Sequence, residues 1–307
     1  MIKKTIYLGN PYYVCIKNAQ LELQVPEGKG IDRILTKTIP IEDIGILILD
    51  HQQLTITHTV IQQAAAHNIA FISCDVNHIP ISMLLPLEGH TTQQERFRDQ
   101  IDASEPLKKQ LWQQTIKYKI ANQAALLSKI GWTNESQSLL IWSNQVNSGD
   151  TQNLEARAAA LYWKTIFGDL APNFTRDRFG SYPNNLLNYA YAIIRATVAR
   201  SLVGSGLLPT LGIHHKNKYN AYCLADDVME PYRIYADELV YGLLQENAGQ
   251  ELDLTTVIKG KILSLPAKEV SIDGMRSPMM VGLQRTTSSL SQCFAVESKK
   301  ILYPKFN

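Results

Sequence analysis

Over the first ninety positions the apolar residues come in short runs, some alternating and some continuous, separated by turn formers. They predict strands near residues 3–8, 13–17, 20–25 and 33–37. Gly9, Asn10 and Pro11 punctuate the first pair, and the stretch from Pro26 to Gly30 the next. Ile44–Leu49 is apolar throughout and reads as a strand covered on both faces. Thr55–His67 has helical spacing through Ile56, Val60, Ile61 and Ala64, and strands return at Ala70–Cys74 and Ile79–Leu85. The expectation is a small mixed domain, mostly sheet, with one helix packed on it.

The pattern changes at Leu87–Thr92. Beyond it the apolar period is helical over 93–103, 106–130, 135–147, 154–167, 184–203, 228–246 and 278–295. Leu107, Leu111, Ile116 and Ile120 form one apolar stripe, which marks core packing. Strands first and helices afterwards imply separate layers, not alternating βαβ units. The fold class is therefore α+β multidomain. A small β-rich N-terminal domain (1–88) precedes a larger all-α C-terminal domain (89–307). Outside that last helix, the tail after Gln250 is the least readable part.

Composition narrows the class. The chain has 307 residues, 45% of them hydrophobic, enough for substantial cores. No apolar window approaches a membrane span, and the N-terminus lacks the apolar core of a signal peptide. Cys15, Cys74, Cys223 and Cys293 are scattered and read as reduced thiols. A cytoplasmic protein is expected. The net charge of +2 is too small to imply an anionic partner, but its distribution does more. Residues 1–90 carry six Lys/Arg against eight Asp/Glu, and the remainder 24 against 20.

The candidate chemistry lies in that second part. Glu155 sits near the start of an Ala-rich helix whose cap is expected at Asp150 or Thr151. Taken alone it is ordinary helix-dipole complementarity. His214 and His215 follow Gly212, and Asp226, Asp227 and Glu230 arrive within fifteen positions of His215. Asp227 and Glu230, three apart, share a face if the segment is helical, and Pro231 fits a helix start. Two carboxylates with one imidazole suit Mg2+ or Mn2+, whereas zinc usually recruits more His or Cys. Such an ion can neutralise a phosphodiester and activate a hydroxyl. Arg157, Lys164, Arg176, Arg178, Arg195, Arg200, Lys216 and Arg233 supply cations suited to phosphate contacts, although several must be plain helix-face charges.

At these residues the chain resembles CRISPR-associated protein one, the integrase of the spacer-acquisition module. The resemblance is carried by Asn153-Leu154-Glu155 with Tyr162-Trp163, by the Asn184–Tyr191 segment, by Gly212–His215, by Leu224–Arg233, and by Ile39–Leu49 in the first domain. It implies that Glu155, His215 and Glu230 are the catalytic metal ligands, with Asp227 in support. Relatives often carry Asp where this chain has Glu230. Arg157, Arg176, Arg178, Lys216 and Arg233 are the expected DNA contacts. The double His and the Met-Glu-Pro run resemble the type II branch. The resemblance further implies a homodimer through the β domains, DNA partners (spacer precursor and CRISPR repeat) and the small CRISPR-associated protein two. It admits the interference effector as another partner. The implied activity is endonuclease and integrase chemistry by 3′-hydroxyl attack on a phosphodiester. The alternative is a non-catalytic DNA-binding scaffold whose acids are helix caps.

Overall fold

The computed structural model describes residues 3–26, 33–76, 78, 80–247 and 250–306. The chain divides into two compact units, Met1–Gly89 and His90–Asn307.

The first unit contains β1 (Lys4–Leu8), β2 (Tyr13–Lys17), β3 (Gln20–Pro26), β4 (Arg33–Pro40), β5 (Ile44–Leu49), β6 (Thr55–Ile56), α1 (His58–Ala66), β7 (Ala70–Cys74) and β8 (Pro80–Leu84). One sheet runs β1-β5-β7-β8, parallel except for β8; the other runs β4-β3-β2-β6. β5 is central and its first five residues are buried, as an all-apolar parallel strand requires. Leu8, Val14, Leu21, Ile44, Leu47, Val60 and Phe71 belong to the cluster at its core. The expected helix over 55–67 is shorter, because Thr55 and Ile56 first pair with β2 and Thr57 stays extended. Most of the expected turn from Pro26 to Gly30 lies outside the described residues, as does Ile79.

The second unit comprises α2 (Gln93–Asp102), α3 (Glu105–Lys129), α4 (Thr133–Gln145), α5 (Leu154–Thr165), α6 (Asn184–Gly204), α7 (Cys223–Met229), α8 (Arg233–Glu246), α9 (Thr256–Ile262), β9 (Glu269–Ile272), β10 (Met275–Pro278) and α10 (Met279–Phe294). α3 is the axis that positions the site. Ser104 accepts from the Leu107 amide, Pro106 lies in the first turn and Lys129 in the last, so both ends carry favourable signals. Leu111, Ile116 and Ile120 are fully buried, as the stripe requires.

Three elements depart from the sequence reading. The 228–246 helix is two: α7 starts at Cys223, and a 3-10 turn over Glu230–Tyr232, holding Pro231, breaks it from α8. The helical unit also contains one antiparallel ribbon, β9–β10, whose four-residue strands are too short to register as a period. Finally, the unreadable tail is ordered. Ile301, Tyr303 and Phe306 are buried; Thr115 and Tyr303 hydroxyls lie 2.9 Å apart, and the Ile301 amide donates to Gln114 Oε1 at 3.0 Å.

Candidate metal and phosphate site

Glu155 is fixed by its backbone before its side chain acts. The Asp150 carboxylate accepts from the amides of Leu154 and Glu155, both at 2.9 Å. Asn153, at the cap position itself, has a left-handed φ of 53° and makes no side-chain cap bond. Asp150 therefore caps α5 from further back and sets where Glu155 emerges.

The histidine loop is organised by Asp227, whose side chain is fully buried. Its Oδ2 accepts from the amides of Ile213 (2.6 Å) and His214 (3.0 Å), and its Oδ1 from that of His215 (3.3 Å). The same Oδ1 lies 2.5 Å from His215 Nδ1. A Cβ at Gly212 would fall 2.3 Å from the His215 carbonyl and 2.8 Å from Asp227 Oδ2, so only glycine admits this wrap. The adjacent histidines part company here. His214 stacks flat on Trp112 at 4.2 Å, while His215 turns its Nδ1 to Asp227. With Nδ1–H donated, Nε2 of a neutral ring carries the lone pair. The Asp227 hydrogen bond raises the His215 pKa against the opposing effect of burial, and the Asp227, Glu230 and Glu155 charges add to it.

Glu230 lies in the 3-10 turn between α7 and α8 with both oxygens facing cations. Arg233 Nη2 and Nε lie 2.9 and 3.0 Å from Oε1, and Lys119 Nζ lies 2.7 Å from Oε2. Burial would raise the Glu230 pKa, but the Arg233 and Lys119 charges hold it down at about 2. Lys119 Nζ is also 2.6 Å from Glu155 Oε1, so one ammonium bridges both carboxylates. Burial opposes that charge; the Glu230 and Glu155 carboxylates outweigh it and raise the Lys119 pKa. Its neighbour on α3, Asn122, holds the Glu230 turn, donating to the carbonyls of Pro231 (2.9 Å) and Pro304 (3.1 Å) and accepting from the Phe306 amide (3.1 Å).

The structure thus brings Glu155 and Glu230 to a shared cation and places His215 where it feels both charges. Among the described residues, however, no three His, Cys, Asp or Glu side chains stand in an arrangement that holds a metal ion. Lys119 occupies the position between the carboxylates. In kind the donors fit a hard divalent ion, two carboxylates plus an imidazole oriented by a buried acid. Glu230 Oε2 adds a second indication: it is buried and has no well-directed hydrogen bond despite the close ammonium.

The expected phosphate contacts separate into two groups. Lys216, Arg178 and Arg157 are exposed. Lys216 lies 3.3 Å from Glu105, Arg178 lies near the Phe179 ring, and Arg157 lies 4.1 Å over the Trp142 ring. Arg176 and Arg233 are half-buried and line, with Lys119 and Glu230, a cavity of about 130 Å³. Asn184 and Asn188 accept from Arg176 at 3.0 and 2.6 Å, and Asn188 also donates to the Arg178 carbonyl. Those asparagines, unassigned from sequence, shape the arginine loop. Asp226, by contrast, is taken up by Arg195 (2.6 Å) and Asn220 (2.7 Å). Lys119 and Asn122 were missed from sequence; in a run reading Lys117-Tyr118-Lys119 a mid-helix lysine looks like a solvated face.

Residues 7–274 match the family model described as CRISPR associated protein Cas1. The chain is 36% identical over 252 residues to the CRISPR-associated endonuclease Cas1 of Neisseria meningitidis serogroup C (strain 8013), covering 82% of this chain and 81% of the relative. Among solved structures it is similar to a casposase bound to integration product, with TM-score 0.78, 20% identity, and coverage of 98% of this chain and 92% of that one. A Cas6-RT-Cas1–Cas2 complex gives TM-score 0.74 at 18% identity, covering 97% of this chain and 35% of that one.

Proposed function

The chain belongs to the Cas1 family, and on that premise we propose that it is a metal-dependent DNA endonuclease and integrase of CRISPR spacer acquisition. An incoming 3′-hydroxyl attacks a repeat phosphodiester without a covalent enzyme intermediate. The observation that carries this reading is the meeting of Glu155 and Glu230 at one cation, beside an imidazole held by Asp227. Glu155, His215 and Glu230 would hold the ion, Mg2+ or Mn2+, which when bound supplies charge neutralisation and Lewis acidity at the phosphate. Asp227 orients His215. Arg233 holds Glu230, and Arg176, which lines the same cavity, would meet a phosphate oxygen. Arg157, Arg178 and Lys216 make outer backbone contacts.

DNA is the substrate, and the small partner Cas2 is the assembly partner; the likeness to a casposase bound to integration product supports the first, and that to a Cas1–Cas2 complex the second. The first unit serves as the homodimerisation domain and the second as the catalytic domain. Ile81 on edge strand β8 and Leu87 beyond it are 66% and 93% exposed, apolar surface that suits a second copy. No helix among the described residues is long and apolar enough to cross a membrane. The double His and Met-Glu-Pro run support the type II branch, where the interference effector is a further partner.

The test is strand transfer of a 3′-OH oligonucleotide into repeat DNA, read on a gel. Glu155→Ala, His215→Ala and Glu230→Ala should each abolish product while preserving the folded circular-dichroism spectrum. Wild-type rates in all three would end the site assignment. The non-catalytic scaffold reading draws on the ammonium between the carboxylates. It requires salt-sensitive DNA binding and no metal-dependent product.

A further inference from the structure

We propose that Lys119 is a built-in counter-cation that a divalent ion has to displace, so that the metal-free site is kept assembled by the protein's own charge. Its footing is the metal-site reading above. The Lys119 side chain is 12% exposed and reaches from the middle of α3 to two carboxylates delivered by α5 and the 3-10 turn after α7. Its ammonium lies 2.6 Å from Glu155 Oε1 and 2.7 Å from Glu230 Oε2. Arg233 takes the other Glu230 oxygen, so Lys119 is the cation common to both acids.

An ammonium makes directional bonds. Its approach to Glu155 has hydrogen-bond geometry, but Glu230 Oε2 remains without a well-directed bond. A metal ion is drawn to the oxygen by charge and binds it at about 2.0–2.1 Å for Mg2+. Ion and ammonium cannot share that spot, since both need the same oxygens and repel each other. The four-carbon stem of lysine lets the head withdraw without moving the helix. Meanwhile Asn122, on the same helix, keeps its grip on the Pro231 carbonyl and so on the turn that presents Glu230. The exchange therefore needs one side chain to move and no element to repack. This accounts for a site with the right donors and no ready ligand set.

The experiment is Mn2+ binding, measured by the electron paramagnetic resonance signal of the free ion, together with thermal melting with and without Mn2+. Lys119→Met keeps the stem and removes the charge. It should bind Mn2+ roughly tenfold or more tightly than wild type, melt at a lower temperature without metal, and gain more from Mn2+. Lys119→Arg should retain wild-type affinity. Equal or weaker Mn2+ binding by Lys119→Met overturns the proposal, because loss of a cation that competes for the same oxygens has to tighten binding. Should that variant fail to fold, Lys119→Gln takes the same measurement. Glu155→Gln separates the two readings. If it binds Mn2+ as wild type does, the metal site falls and the displacement with it. If it loses binding while Lys119→Met is unchanged, the displacement alone falls.

Discussion

Both units bury a carboxylate, but they surround it differently. In the first, Asp50 follows β5 with its side chain fully buried; Tyr7 donates to Oδ2 and His78 Nδ1 lies 2.9 Å from Oδ1. Burial, with the Asp50 hydrogen bond, pushes the Tyr7 phenol pKa up, so that partner stays protonated and neutral. In the second unit Glu230 faces two cations, Arg233 and Lys119. A carboxylate held by a phenol and an imidazole is held as structure. One satisfied by exchangeable positive charge is prepared for another cation. Burial alone therefore does not mark a functional acid; the chemistry of its partners does.

The largest test of this contrast is Asp227→Ala. Three amides and the His215 ring lose their acceptor inside the protein, and the expected loss is about 3–4 kcal/mol, read by urea unfolding. A change under about 1 kcal/mol would mean that Asp227 does not organise the loop. Next comes pH. Burial pushes the Asp237 carboxyl from 3.8 to about 6, outweighing the opposing hydrogen bonds from Tyr191 and Tyr162. The folded state then holds a proton that the unfolded chain releases first. Its contribution is complete below pH 3.8 and is lost as the pH rises through 6, about 3 kcal/mol in all. Stability measured in steps across that window should fall for wild type relative to Asp237→Asn, and parallel profiles would refute the shift.

Smaller effects sharpen the comparison. Asn122→Leu removes the link between Pro231, Pro304 and Phe306 and should cost about 2 kcal/mol and loosen Mn2+ binding, since the Glu230 turn loses its anchor. In the first unit, Tyr7→Phe should cost about 1 kcal/mol with no effect on strand transfer. If it impaired catalysis, the division between a structural and a functional carboxylate would be wrong.

Much of this was legible in the chain. The all-apolar Ile44–Leu49 announced a central strand, and the Leu111, Ile116, Ile120 spacing announced a core helix. The proximity of Glu155 and Glu230 followed from motifs whose residue types serve one chemistry. What stayed hidden depends on contacts distant in sequence. Nothing local distinguishes Lys119 from Lys117, because only the meeting of α5 with the 3-10 turn gives one of them two acids. The α7 start was misplaced because Pro231 fits a helix start, which leaves Asp226 and Asp227 outside the helix that in fact contains them. The structure instead uses them to hold Arg195 with Asn220, and the histidine loop. The tail was unreadable because its order is borrowed from Gln114, Thr115 and Asn122.

That borrowing has a consequence for anyone building hybrids between homologous chains. The stretch from Lys299 to Phe306 and its cradle on α3 are lock and key, although nearly 190 positions separate them. A graft that swaps one without the other would leave Gln114 and Asn122 gripping the wrong shape, and the error would reach Glu230 through Pro231. The two segments should be transplanted as a pair, and natural exchange between lineages is expected to have kept them together.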